Sequence, residues 1–526
     1  MKRINLIASV LGLAFIAGLI TSCAQNNVDS DVTYLHVYNW EDYIYQYDPE
    51  SGYEDVDMTE QFEEFINLPE NKKAYGLTKD VKVIYDTFDT PETMYNQLKL
   101  NKTSFDIMCP SDYMIQRLAL NLDGLDSTRI RKIDFSKMPN YSKYVSKFLT
   151  QNLESVLIDA NDPSKGTLAD YAVGYMWGTL GLVYNPGAQT LLNKGYTEEE
   201  IIEAFNAPNA WDLLWENADF AGVASIKDSI RDTYAMGVMH VFSDELAALK
   251  DQYENGLISV EDYKNAVNTI FNRCDDETIE KVGAALIELK DKIYGFEVDT
   301  GKTDIITGKV AVNLAWSGDA VYSMDQAEEE YEQYFYYALP SYGANIWFDG
   351  WCIPESCIGE NLNAAYAFLD FLSIPYNAAQ NMDYIGYTSF MAGDEVLDLI
   401  HDWYDAEDEE NSVSYDLSYF FEGTLDEYDI EYAVIETDEE QTIRQLHAQY
   451  PEIEEINHLC IMKDFGKAND TIVTMWENVK VNPLPLWVKI FVVTALVGFI
   501  GYLGSYKLIR KAKLNRRKKL NSNIQN

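Results

Sequence analysis

The chain has 526 residues, 47% of them hydrophobic and 13% aromatic, which suits two or three compact units and excludes a disordered or collagen-like polymer. Its 86 acidic residues outnumber 40 basic ones, and the bases Lys2, Arg3 and the nine from Lys489 to Lys519 lie in acid-free ends, so residues 24–485 carry a net charge of −57. A field of that sign opposes nucleic-acid phosphates and favours cationic solutes, so no nucleic-acid partner is expected.

Residues 1–22 read as a signal peptide, with a basic start, an apolar stretch from Leu6 to Ile20 and small residues leading to Cys23. Ile20-Thr21-Ser22-Cys23 resembles a bacterial lipobox, which makes Cys23 the expected lipidation site. Residues 33–39 (TYLHVYN) alternate as a first strand, and residues 59–68 space Phe62, Phe65 and Ile66 as a helix does. A second strand is predicted over 81–87, a helix opening at Pro91, and a third strand over 105–109, closed by Pro110. Strands alternating with helices predict parallel α/β layers. Further strands are expected over 171–177 and 182–185, around a glycine-rich turn, and over 310–316 and 350–353. Helices are expected over 197–216, 243–293 and 364–372, then over 439–450 and 470–480. The acidic, tyrosine-rich stretch 402–440 reads as a solvated face.

Residues 486–506 are apolar apart from Lys489 and a few small polar residues, and at ~1.5 Å per residue they are long enough for a ~30 Å hydrocarbon layer. Eight bases follow at once in 507–526. This predicts a C-terminal transmembrane helix with a basic cytoplasmic tail, and a folded region held outside the cell, or in a periplasm, by that span and by lipid on Cys23.

No catalytic or metal set emerges. Gly301-Lys302-Thr303 lacks the glycine spacing of a phosphate-binding loop, and the five histidines form no close ligand pair. There is no nucleophile elbow and no calcium loop, so neither an enzyme nor a cofactor is expected. Once Cys23 is assigned to lipid, five cysteines remain, and Cys352 with Cys357 could pair or stay as thiols.

What the sequence offers instead is acids beside aromatics at strand ends, where open α/β sheets present their ligand sites. Trp40-Glu41-Asp42-Tyr43 follows the first strand and Pro110-Ser111-Asp112-Tyr113 the third, while Trp347-Phe348-Asp349 and Gly386-Tyr387 add two further clusters. A diammonium ligand needs both residue types. Its charges are costly to bury unless paired with carboxylates, and its methylenes are gripped by aromatic faces.

The segments LHVYNWEDYI (35–44), FDIMCPSDYMI (105–115), WGTLGLVYN (177–185), DSIRD (228–232), VNLAWSGDAVY (312–322), WFDGWCIP (347–354) and IGYTS (385–389) resemble, in family order, the spermidine/putrescine-binding proteins of bacterial ABC transporters. The resemblance implies a two-lobed periplasmic-binding-protein-like fold with hinge strands, closing on spermidine or putrescine and delivering it to permease subunits with an ATPase. One lobe would comprise 33–183 with 349–400, the other 184–348 with 401–480. Trp40, Asp42, Tyr43, Ser111 and Tyr113 would line one side of the cleft. Trp316 and Trp347 would sandwich the aliphatic chain beside Tyr387, and Asp349, Asp232 and Asp228 would supply carboxylates. Asp112 is read as solvated, Asp319 as either a site residue or a helix N-terminal acid, and Arg231 as a partner for a neighbouring acid. Two departures stand out: Ser229 occupies an acid's place in DSIRD, and Met462 stands where some members carry a glutamine. The rival readings are a binder of the same fold for another cationic solute, and a membrane-tethered receptor without transport.

Overall fold

The structure is a computed structural model that describes residues 31–47, 56–100, 105–298, 300–406, 412–481 and Thr494. The signal peptide, Cys23, residues 486–506 and the tail 507–526 therefore lie outside the described residues, Thr494 excepted. The chain divides into two compact units, Met1–Ile472 and Val473–Asn526. The first unit holds the α/β architecture and the second is described mainly through the end of helix Asn469–Lys480.

Three parallel strands, β1 (Val32–Trp40), β2 (Asp80–Phe88) and β3 (Ile107–Met108), form a small sheet in the order β2-β1-β3. The larger sheet contains β4 (Val173–Tyr184), β5 (Ala224–Lys227), β6 (Gly295–Glu297), β7 (Val312–Trp316), β8 (Tyr336–Ala338), β9 (Ala344–Trp351), β10 (Thr388–Ser389) and β13 (Leu459–Ile461). Its main order is β13-β9-β4-β7-β5-β6. A separate hairpin pairs β11 (Ser412–Asp416) with β12 (Val434–Asp438).

Two strands connect these groups. In β9, Ala344–Ile346 pairs with β13, whereas Asp349 bridges Ser111 and the following Cys352 bridges Met108 on the β3 side. In β4, Val173–Thr179 pairs antiparallel with β9, and Leu180–Tyr184 pairs with β7. All twelve residues of β4 are buried, as in a strand covered on both faces. The result is the expected two-lobed α/β fold with crossover strands.

Three expectations need correcting. The glycine-rich turn predicted after residue 177 is the middle of β4. Gly178 and Gly181 are needed for close approach, because an added Cβ would lie 2.6 Å from the Trp347 ring at the first and 2.5 Å from the Tyr337 ring at the second. The stretch 402–440 is no solvated face: Tyr415, Phe420, Phe421 and Ile435 are fully buried, while acids alternate with them toward solvent. Between the two alternatives open for Cys352 and Cys357, the structure has both as free, buried thiols. Finally, the transmembrane helix with its cytoplasmic tail does not stand: among the described residues no helix is long and apolar enough to cross a membrane. The last helix described, Asn469–Lys480, is twelve residues long and carries charges.

Candidate ligand-binding site

Strand β1 delivers Trp40 to the edge of the small sheet, and the chain then turns sharply through Asp42, which has a left-handed φ of 50°. Aspartate tolerates that conformation better than most side chains, because its short polar group bonds locally. The turn leaves Asp42 exposed and sends Tyr43 inward. The Tyr43 carbonyl accepts hydrogen bonds from Asn39 Nδ2 at 3.0 Å and from the Tyr175 hydroxyl at 2.9 Å, which fixes the ring. Its hydroxyl donates to Asp349 Oδ2 at 2.9 Å.

Asp349 is 6% exposed and lies on β9 opposite Ser111. Its Oδ1 is buried without a hydrogen-bond partner among the described residues. Burial pushes the carboxyl up to about 6, against the pull of the Ser111 and Tyr43 hydroxyls. A buried acceptor left open is expensive, so Oδ1 marks a place for an incoming donor. Asp112 lies close by. It is only 1% exposed, which corrects its reading as a solvated acid. Its Oδ1 accepts from the Tyr113 N–H at 2.6 Å while its Oδ2 has no hydrogen-bond partner among the described residues, and burial holds its carboxyl well above the usual range.

From Tyr43 a line of aromatic rings leads onward. The Tyr43 and Tyr387 rings meet edge to face at 5.8 Å, and Tyr387 meets Trp347 at 5.4 Å. Trp347 donates from Nε1 to the Thr179 carbonyl at 3.2 Å. Gly318 makes room for Tyr387, since a Cβ there would sit 2.5 Å from its ring. The Tyr387 hydroxyl donates to Asp319 Oδ1 at 3.1 Å.

Here the electrostatics change. Asp319 pairs with Lys227 at 3.0 Å and with Lys302 at 3.2 Å, and these two cations hold its carboxyl below the usual range despite burial. Lys227 is 2% exposed, reaches Glu297 at 3.4 Å and sits 4.6 Å from the centre of the Trp316 ring. Burial works against its charge, but Asp319 and Glu297 outweigh that and raise its pKa. Trp316 in turn lies beside Asp232, whose carboxyl burial pushes up against the pull of Ser229, Lys227, Trp316 and Arg231.

The sequence-predicted residues thus fall into three groups. Tyr43, Ser111, Trp347, Asp349 and Tyr387 converge on one cluster, and Trp316 with Asp232 forms a second one joined to it through Asp319. The other four make the following contacts. Trp40 leans on Phe88 at 5.0 Å, and Asp42 faces solvent. Asp228 gives its N–H to the Glu297 carbonyl at 2.6 Å. Tyr113 is covered on one face by the Arg231 guanidinium at 3.6 Å, and its hydroxyl turns to Glu92 at 3.3 Å. Arg231 itself pairs with Asp464 at 3.4 Å, the neighbouring-acid role read from the sequence. Lys227, Lys302 and Glu297 were not foreseen. The only signal was a lysine closing the apolar strand ASIK, and in sequence that is indistinguishable from a surface residue.

A two-lobed α/β fold whose crossover strand β9 carries an open carboxylate among aromatic rings fits a class of protein that binds a small solute and returns it unchanged. The chain belongs to the bacterial extracellular solute-binding proteins, whose family model matches residues 57–405. It is 25% identical over 394 residues to a putrescine-binding periplasmic protein of Pseudomonas aeruginosa, covering 74% of this chain and 84% of that one. It is also 25% identical over 354 residues to a spermidine/putrescine-binding periplasmic protein of Escherichia coli, covering 67% and 76%. The crystal structure of a spermidine/putrescine transporter substrate-binding protein from Streptococcus pneumoniae has the same fold, with a TM-score of 0.51 at 24% identity over 85% of this chain and 98% of that one.

Proposed function

We propose that this protein is the solute-binding component of an ABC importer for polyamines, taking up putrescine or spermidine between its lobes and presenting it to a permease driven by an ATPase. The observation that carries the reading is Asp349: a buried carboxylate with one oxygen unpartnered among the described residues, at the meeting of Tyr43, Trp347 and Tyr387. An alkyl ammonium supplies the missing donor and charge, and the rings cover its methylenes. The names of the relatives and the strongly acidic field of the folded region support the same ligand class. Ser111 would add a second polar contact, and Trp316 with Asp232 would receive the far end of the ligand. In this reading 33–183 with 349–400 forms one lobe and 184–348 with 401–480 the other, and ligand contacts with both select the closed state. A leader ending at a lipidated Cys23, outside the described residues, would deliver the chain to its place of work.

Isothermal titration calorimetry of the full chain with putrescine and spermidine tests the proposal. Binding of at least one amine with a Kd of about 1 μM or tighter is expected, near −8 kcal/mol. Heat of binding from an acidic amino acid but from neither amine would refute it.

A further inference from the structure

We infer that Lys227 is a specificity-determining residue: its ammonium occupies the middle of the site, between Asp319 and the Trp316 ring, so the site takes a linear diamine in preference to a triamine. This rests on the polyamine reading above.

The contacts form one chain. Asp349 touches Tyr43, Tyr43 faces Tyr387, Tyr387 reaches Asp319, Asp319 pairs with Lys227, and Lys227 lies over Trp316, which meets Asp232. Each end holds a buried carboxylate that makes no ion pair with a lysine or arginine within 4 Å among the described residues, Asp349 with its neighbour Asp112 at one end and Asp232 at the other. The middle holds Asp319, already neutralised by Lys227 and Lys302. A diamine carries charge only at its termini and places methylenes in the middle, against rings. A triamine adds an internal secondary ammonium, which needs a carboxylate at mid-site. There it meets an acid already satisfied and a like charge at close range, and like charges juxtaposed in a desolvated site cost several kcal/mol.

Lys227 is itself an ammonium on a four-carbon stem, held by carboxylates and an aromatic face as a ligand nitrogen would be. It is anchored by more than one ion pair, since Nζ also donates to the Val298 carbonyl at 3.4 Å, and Glu297 is fixed by the Gly301 N–H at 2.9 Å. A seat so fully bonded is not vacated for a ligand without leaving several buried groups unpaired.

The test is calorimetry of the full chain with putrescine and with spermidine, on wild type, on Lys227→Met and on Lys227→Met/Asp319→Asn. The wild type is expected to bind putrescine more tightly than spermidine. In Lys227→Met the repulsion is gone and Asp319 is open, so spermidine binding should tighten relative to putrescine by about tenfold or more. Should the single variant fail to fold, as circular dichroism would reveal, the double variant leaves neither a buried lysine nor its unpaired acid. The putrescine preference should then shrink toward parity. Spermidine preference in the wild type, or an unchanged ratio in the folded variants, overturns the inference. Binding of neither amine by the wild type removes the polyamine reading itself, a distinct result.

Discussion

Asp349 and Asp319 are both buried, both lie near Tyr387, and both sit where a β-strand of the larger sheet reaches the site, yet they do opposite things. Asp319 has two lysines within 3.2 Å and titrates below the usual carboxylate range. Asp349 bonds to neutral hydroxyls and has no lysine or arginine partner among the described residues, and burial lifts it to about 6. The first is a finished ion-pair network that fixes the helix Ser317–Tyr331 against β5; the second is an unfinished one. Burial alone therefore does not mark a ligand carboxylate. What marks it is burial without a resident cation.

The sharpest way to break this comparison is to remove each acid in turn. Asp319→Ala strips Lys227 of its nearest partner in the interior and should lower stability by on the order of 3 kcal/mol, read from urea unfolding. Much of that loss should return in Lys227→Met/Asp319→Ala. Asp349→Ala should do the reverse, leaving the melting temperature unchanged or slightly raised while weakening amine binding by about 2–5 kcal/mol in calorimetry. Equal losses of stability in the two variants would erase the distinction.

Acidity offers a gentler probe. The folded carboxyl of Asp349 titrates near 6, above its unfolded value, so the unliganded fold binds this proton more tightly than the unfolded chain does. The contribution of Asp349 to stability is thus fully present below the unfolded value and declines as pH rises through about 6. Ligand binding runs the other way. A cation needs the ionised form, so amine affinity should fall by about tenfold per pH unit below 6, and Asp349→Asn should flatten that slope. The smallest effect is expected from Tyr387→Phe, which removes one hydrogen bond to an acid that keeps both lysines. Stability should drop by about 1 kcal/mol, with little change in amine affinity.

Much of the fold could be read from the chain. β1, β2, the helix Pro91–Lys99 and β7 form where alternation, an opening proline or a helical period placed them, since these are local signals carried by neighbouring residues. β4 was misread as two strands because Gly178 and Gly181 signal a turn in isolation, and only the rings of Trp347 and Tyr337 reveal why glycine is needed in mid-strand. The hairpin within 402–440 was hidden in the same way, its few buried rings outnumbered by acids that face water.

The candidate site divides along the same line. The sequence by itself offered candidates to serve a cation, Tyr43, Ser111, Trp347, Asp349 and Tyr387 among them, through acids and aromatics at strand ends and through the family resemblance of the segments that hold them. Which carboxylates remain open was decided by the tertiary structure alone. Lys227 is 92 residues from Asp319 and 70 from Glu297, and only the pairing of β5 with β6 and β7 brings the three together. Charge neutralisation depends on distances of a few ångströms across that separation, and neither composition nor spacing along the chain records them.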